Sequence, residues 1–159
     1  MQLFVIRHAV AEDAEPGRED AGRALTGAGK AKLRQAVRGL RALDVRFERI
    51  LTSPWKRAAQ TAELLAPIAT GAPIATDLLA QPPRPELLAL LAERNETIAV
   101  VGHEPWLGEL AAWLAFGDTR YGDALVLKKC GVLWLEGTAV PGGMQLRASV
   151  PPKLLRAIR

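Results

Sequence analysis

The sequence predicts an α/β fold, a three-layer α/β/α arrangement with a mostly parallel mixed central sheet, and three observations predict it. Two short apolar runs, Leu3-Phe4-Val5-Ile6 and Ile98-Ala99-Val100-Val101, each lead into a polar turn holding one of the chain's two histidines, His8 and His103. Runs apolar on both faces are the pattern of central parallel strands. Amphipathic segments lie between them, and the last third of the chain turns to short strand-like stretches around Pro141-Gly142-Gly143. A mixed sheet flanked by helices, with antiparallel strands added late, accommodates all three most economically.

Residues 2–6 form the first strand and 9–24 a polar loop. Thr26 is an N-cap for a helix whose core stripe is Leu33, Val37 and Leu40, with Leu43 completing it. A second strand follows over 47–52. Ser53-Pro54 reads as an N-cap oxygen followed by proline at the first helical position. That helix runs through Arg57, Gln60, Thr61 and Glu63 to about Ala66, where Pro67 ends it. Pro73, Pro82, Pro83 and Pro85 make 70–85 loop-like, with a short strand at 73–76. A helix over 86–94, the second histidine strand over 97–102 and a helix from Pro105 through Leu110 and Leu114 come next. Strands are expected at 126–128, 131–135 and 144–150, the last two joined by the hairpin turn. No repeat, low-complexity tract or linker interrupts the pattern, so a single domain over 1–159 is expected.

At 49% hydrophobic and 24% charged residues the chain has the composition of an ordinary globular protein with a proper core. Its net charge of +4 and pI of about 9.6 admit nucleic acid, a membrane or an anionic ligand. The densest basic set, Arg34, Arg38 and Arg41, falls on the solvated face of a helix, and no RNA-binding aromatic signature accompanies it. Nucleic acid is therefore not expected, and a small anionic group is. The lone Cys130 excludes an intrachain disulfide and a cysteine-based zinc site, and its apolar neighbours mark it as a core residue. Neither a metal nor another cofactor is expected. The N-terminal apolar run is too short for a signal peptide or a membrane span, so a cytoplasmic protein with no membrane partner is expected.

Four residues, Arg7, His8, Arg57 and His103, stand at predicted strand-to-helix turns, the edge at which open α/β sheets bind ligands. Arg57 sits in the first turn of its helix, beside free backbone N–H groups that attract anions. Guanidinium forks match phosphate oxygens in a way a lysine point charge does not. Two arginines and two imidazoles around one point would hold a phosphoryl group and leave one nitrogen to attack it.

Four segments then carry a resemblance: Arg7-His8-Ala9, Arg23-Ala24-Leu25-Thr26-Gly27-Ala28-Gly29, Ser53-Pro54-Trp55-Lys56-Arg57-Ala58-Ala59-Gln60-Thr61, and Val101-Gly102-His103-Glu104-Pro105. In this order they resemble the histidine phosphatase superfamily, with its phosphoglycerate mutase-like fold, and within it the small SixA-type phosphohistidine phosphatases. The Ser-Pro-x-x-Arg-x-x-Gln-Thr stretch is the specific piece. The resemblance implies that His8 is the nucleophile and accepts the phosphoryl group as a phosphohistidine intermediate. It implies that Arg7, Arg57 and His103 bind the phosphoryl oxygens and neutralise charge in the transition state. Neighbouring cations would also keep His8 neutral enough to attack. A phosphorylated protein is the substrate this resemblance suggests; oligomeric state is not readable.

Two departures bear on activity. Ala9 replaces the glycine of most of the superfamily, which matters only if that position needs a positive φ. The leaving-group acid of phosphomonoesterases is not assigned: Glu12, Asp13, Asp20, Asp77, Glu86 and Glu104 are all open, and none stands out. A site without a dedicated acid favours phosphoramidates, because an imidazole leaves more readily than an alkoxide. Trp55 and Trp106 neighbour the site and line its mouth, whereas Thr26 and Arg23 are read as a helix cap and a loop cation. Two other functions stay open: a small-molecule phosphomonoesterase, which needs a carboxylate facing the phosphate, and a non-catalytic phosphate-binding module, which does not need a nucleophile.

Overall fold

A computed structural model of the chain describes residues 1–158. Six strands form one sheet: β1 (Gln2–Arg7), β2 (Arg49–Thr52), β3 (Ile74–Ala75), β4 (Thr97–Gly102), β5 (Val132–Gly137) and β6 (Met144–Val150). Their order across the sheet is β3-β2-β4-β1-β5-β6. The β3-β2-β4-β1 pairings are parallel, while β5 pairs antiparallel with both β1 and β6. The helices are α1 (Gly27–Ala42), α2 (Lys56–Leu64), α3 (Pro85–Ala92), α4 (Trp106–Phe116) and α5 (Pro152–Ala157).

Strand side chains alternate into two cores. Phe4, Ile6, Ile50, Ala99 and Val101 join Leu33, Val37 and Leu40 of α1 and Ala58 and Ala62 of α2 on one face. Leu3, Val5, Leu51, Ile98 and Val100 join Leu87, Leu88 and Leu91 of α3 and Leu107, Leu110 and Leu114 of α4 on the other. Because both faces are covered, the central strands are apolar throughout. The expected mostly parallel, three-layer α/β fold is what forms.

Local differences have physical causes. Residues 126–128 are not a strand: the Leu127 N–H donates to Glu104 Oε1 and its carbonyl accepts from Arg7 Nη1, so side chains take the groups a ladder would use. Leu43 does not complete the α1 stripe; it is the C-cap and is 52% exposed. α2 starts at Lys56, with Trp55 as its cap position and no side-chain cap. Ser53 instead accepts the Trp55 N–H at 3.2 Å, a turn just upstream of the helix. The C-terminal α5 was not expected; Leu155, its one fully buried side chain, packs among the α1 core residues. There α1 and α5 approach so closely that a Cβ on Gly39 would overlap the Leu155 carbonyl oxygen. Among the described residues no helix is long and apolar enough to cross a membrane.

Candidate active site

Three parallel strands bring the candidate residues to one edge of the sheet. Arg7 of β1 is in register with Gly102 of β4, and Thr52 of β2 with Val101. The residue after each strand therefore emerges at the same height. The next backbone bonds continue the ladder: His8 N–H to Gly102 O at 3.1 Å, and Ser53 N–H to Val101 O at 2.9 Å. The rings of His8 and His103 consequently face one another, 5.2 Å apart between centroids. Arg57, in the first turn of α2, reaches into the same place and donates from Nε to His8 Nε2 at 3.2 Å. His8, Arg57 and His103 are all buried. Arg7 is half-buried and lies close enough to act electrostatically on both histidines, and its Nε is buried without a partner. The four residues expected from the sequence thus converge on one spot.

The hydrogen bonds orient His8. Its Nδ1–H donates to the Ala9 carbonyl at 2.7 Å, which leaves the lone pair on Nε2 and turns it toward Arg57. Burial, with the charges of Arg57, Arg7 and Lys129 adding to it, lowers the His8 pKa to about 4, against a raising contribution from the Ala9 bond. Burial, then Arg57 and His8, lowers that of His103 to about 3. Both imidazoles are therefore neutral at pH 7, and the positive charge of the site resides in its arginines. Arg57 is itself clamped: Nη1 donates to the Asp20 carbonyl at 2.8 Å and Nη2 to Asp20 Oδ2 at 2.9 Å, while its guanidinium lies 4.8 Å from the centre of the Trp55 ring. Burial opposes ionisation of Asp20, but hydrogen bonds from Arg23 and Arg57 outweigh it and hold the carboxyl below its ordinary range.

Several supporting residues carry no such role in the sequence reading. Thr61 Oγ1 accepts the Ala9 N–H at 3.0 Å and donates to the Arg57 carbonyl at 2.7 Å, tying the segment after β1 to α2. Thr26 caps α1 as expected, accepting from Gly29 N–H at 2.9 Å. Gly29 itself lies against the backbone of Val10, where a Cβ would overlap the carbonyl oxygen. Arg23, read as a loop cation, pairs with Asp20 and so supports the Arg57 clamp. Trp55 stands 4.6 Å from the His103 ring and meets Trp106 edge-on at 5.9 Å, so both flank the site. Positive φ among the described non-glycine residues is confined to Asp44 and Cys130, so the backbone at Ala9 does not call for glycine. Cys130 is buried and its thiol pushed up to about 11 by burial, in keeping with a core residue.

The superfamily's branch 1 sequence profile, that of the histidine phosphatase superfamily, matches residues 3–79. An uncharacterised protein of Picosynechococcus sp. is 41% identical over 146 residues, 87% of each chain. The chain belongs to the histidine phosphatase superfamily. As such it is a phosphatase, a hydrolase of that class. The profile spans the segments around His8 and Arg57; His103 lies beyond it and joins them through the sheet register. Among solved structures, the protein histidine phosphatase SixA complexed with tungstate is 25% identical, with a TM-score of 0.75, covering 98% of this chain and 99% of that one. A protein from Escherichia coli described as a candidate α-ribazole-5′-P phosphatase has a TM-score of 0.77 at 19% identity, covering 96% and 98%. The latter likeness is one of fold alone. This histidine phosphatase has the SixA-type architecture.

Proposed function

We propose that the chain is a phosphohistidine phosphatase acting on a phosphorylated protein, through a covalent intermediate on His8 Nε2. The observation that carries this reading is the orientation of His8: Nδ1–H is committed to Ala9 O, and a neutral Nε2 lone pair faces Arg57 Nε. In the first step that lone pair attacks phosphorus and the bond from phosphorus to the leaving nitrogen breaks. The departing imidazole takes a proton from solvent, and Arg57 Nε turns from Nε2 to a phosphoryl oxygen. In the second step water attacks phospho-His8, phosphate departs and Nε2 recovers its lone pair. Arg7 and Arg57 neutralise the oxygens in both steps, so catalysis rests on positioning and electrostatics.

The carboxylates favour a nitrogen leaving group. Asp20 is held ionised by Arg23 and Arg57 and has no proton to give at neutral pH. Glu104 accepts the Leu127 and Gly108 N–H groups with its two oxygens, and Glu12 accepts that of Ala24. Asp13, Asp77 and Glu86 are exposed. An alkyl phosphate would therefore depart without the protonation it needs, whereas a phosphoramidate loses little. That a SixA protein histidine phosphatase shares the fold supports a protein substrate.

The test is adduct trapping. Wild-type protein quenched without acid during turnover of a phosphohistidine peptide gains one phosphoryl mass on His8. His8→Ala gains none and turns nothing over, yet still binds tungstate through its arginines. Undiminished activity in His8→Ala removes the covalent route.

A further inference from the structure

Ser53 is completely buried at the end of β2. Its Oγ has two hydrogen-bond partners among the described residues: the Trp55 N–H at 3.2 Å, which can only donate, and His103 Nε2 at 2.8 Å. The serine proton needs an acceptor, and Nε2 is the one in reach. Were Nε2 protonated instead, the buried hydroxyl proton would have no acceptor among the described residues, at a cost of about 1–3 kcal/mol for one unsatisfied buried polar group, whereas a proton on Nδ1 is satisfied once an anion occupies the site. A neutral imidazole that accepts at Nε2 carries its proton at Nδ1. His103 Nδ1 is buried and has no hydrogen-bond partner among the described residues.

We infer that Ser53 is a positioning residue: its hydroxyl locks His103 in the Nδ1–H tautomer, so that His103 offers the phosphoryl group a neutral N–H donor. The inference rests on the phosphoryl-transfer reading of the site. Both imidazoles then share one tautomer but present opposite ends. His8 spends its N–H on Ala9 O and shows a lone pair, while His103 has its lone pair covered by Ser53 and shows an N–H. This division matters because the wrong tautomer of His103 would aim a lone pair at anionic oxygens. A donor would become a repulsive contact.

With only two histidines in the chain, four ring nitrogens report the whole arrangement in a long-range ¹H–¹⁵N spectrum, and His8→Ala assigns them. At neutral pH the wild type should show a protonated Nδ1 and an unprotonated Nε2 on His103, with the Nδ1 signal moving when tungstate is added. An unprotonated Nδ1 in the wild type overturns the inference without any serine variant. In Ser53→Ala the His103 protons should redistribute toward Nε2, with kcat falling about 10²-fold, the usual worth of one pre-aligned donor. Ser53→Cys, which keeps a donor, should recover part of both effects. A lower kcat in Ser53→Ala with the tautomer unchanged would make Ser53 merely structural and overturn the inference. A correct wild-type tautomer in a protein that forms no phospho-His8 would sink the functional reading alone.

Discussion

His8 keeps its proton on the side facing the backbone and has a pKa lowered by burial, which makes a specific statement about pH. Its protonation should cut kcat/KM only near pH 4, where an ordinary histidine would do so near 6.5. A pH–rate profile whose acid limb sits at 6–7 and vanishes in no other variant would contradict the assignment. The same shifts act on stability. His8 and His103 have native pKa values of about 4 and about 3, against 6.5 for the ordinary group, so the unfolded chain binds more protons below pH 6.5. Stability therefore falls as pH drops from 6.5 toward 4, by up to about 1.4 kcal/mol per pH unit for each histidine. Urea unfolding at pH 7, 6 and 5 should show it, and His103→Gln should flatten the slope. Arg57→Lys is a third prediction at this scale. A lysine cannot reach His8 Nε2 and both Asp20 oxygens at once, so kcat should fall by about 10² or more with the fold retained. Arg7, His8, Arg57 and His103 were legible as candidates in the sequence because each ends or follows a strand or opens a helix. Asp20 was not singled out, because its bond to Arg57 spans 37 positions and no local pattern encodes it.

Between elements, the site depends on how α2 and α1 grip the segment after β1. Thr61 on α2 takes the Ala9 N–H, and the α1 N-terminus packs its Thr26 and Gly29 against Val10. Thr61→Val should leave a buried N–H unsatisfied, costing about 1–3 kcal/mol. It should also lower kcat, because the His8 loop loses its tether. Gly39→Ala makes the contrasting case: α1 must move off the Leu155 carbonyl, which costs about 1–3 kcal/mol of overpacking, while no contact of the site changes. Thermal unfolding and steady-state kinetics on both variants separate the two effects, and a kcat loss in Gly39→Ala equal to that in Thr61→Val would refute the local view. The elements also show where sequence patterns stop. Helices α1 to α4 carry caps, prolines or apolar spacing and were anticipated within a few residues. α5 offers six residues with a single fully buried side chain, too short for a period to show. Residues 126–128 look like a strand by composition, but Glu104 and Arg7 claim the Leu127 backbone, a tertiary override no local propensity reveals.

Across the whole molecule, two neutral imidazoles and two arginines meet at the carboxyl edge of the sheet, and Asp20, Glu104 and Glu12 are already hydrogen-bond acceptors. The chain's positive net charge supports capture of an anionic group, and the fold alone does not choose between a protein and a small molecule, since phosphatases named for both share it. The choice falls to leaving-group chemistry. Hydrolysis of an alkyl phosphate without a positioned acid forgoes roughly 10²–10⁴-fold, the usual worth of general acid–base catalysis, whereas an imidazole leaving group forgoes much less. The value of kcat/KM for a phosphohistidine peptide should therefore exceed that for a sugar phosphate by about 10² or more. Substitution of Glu104 or Glu12 by glutamine should not change that ratio, because each carboxylate is already engaged as an acceptor for backbone N–H groups. EDTA should leave both rates unaltered, the charge on the transferring group being met by guanidinium. A preference for the sugar phosphate that disappears in one carboxylate variant would identify that residue as an acid and hand the site to a phosphomonoesterase.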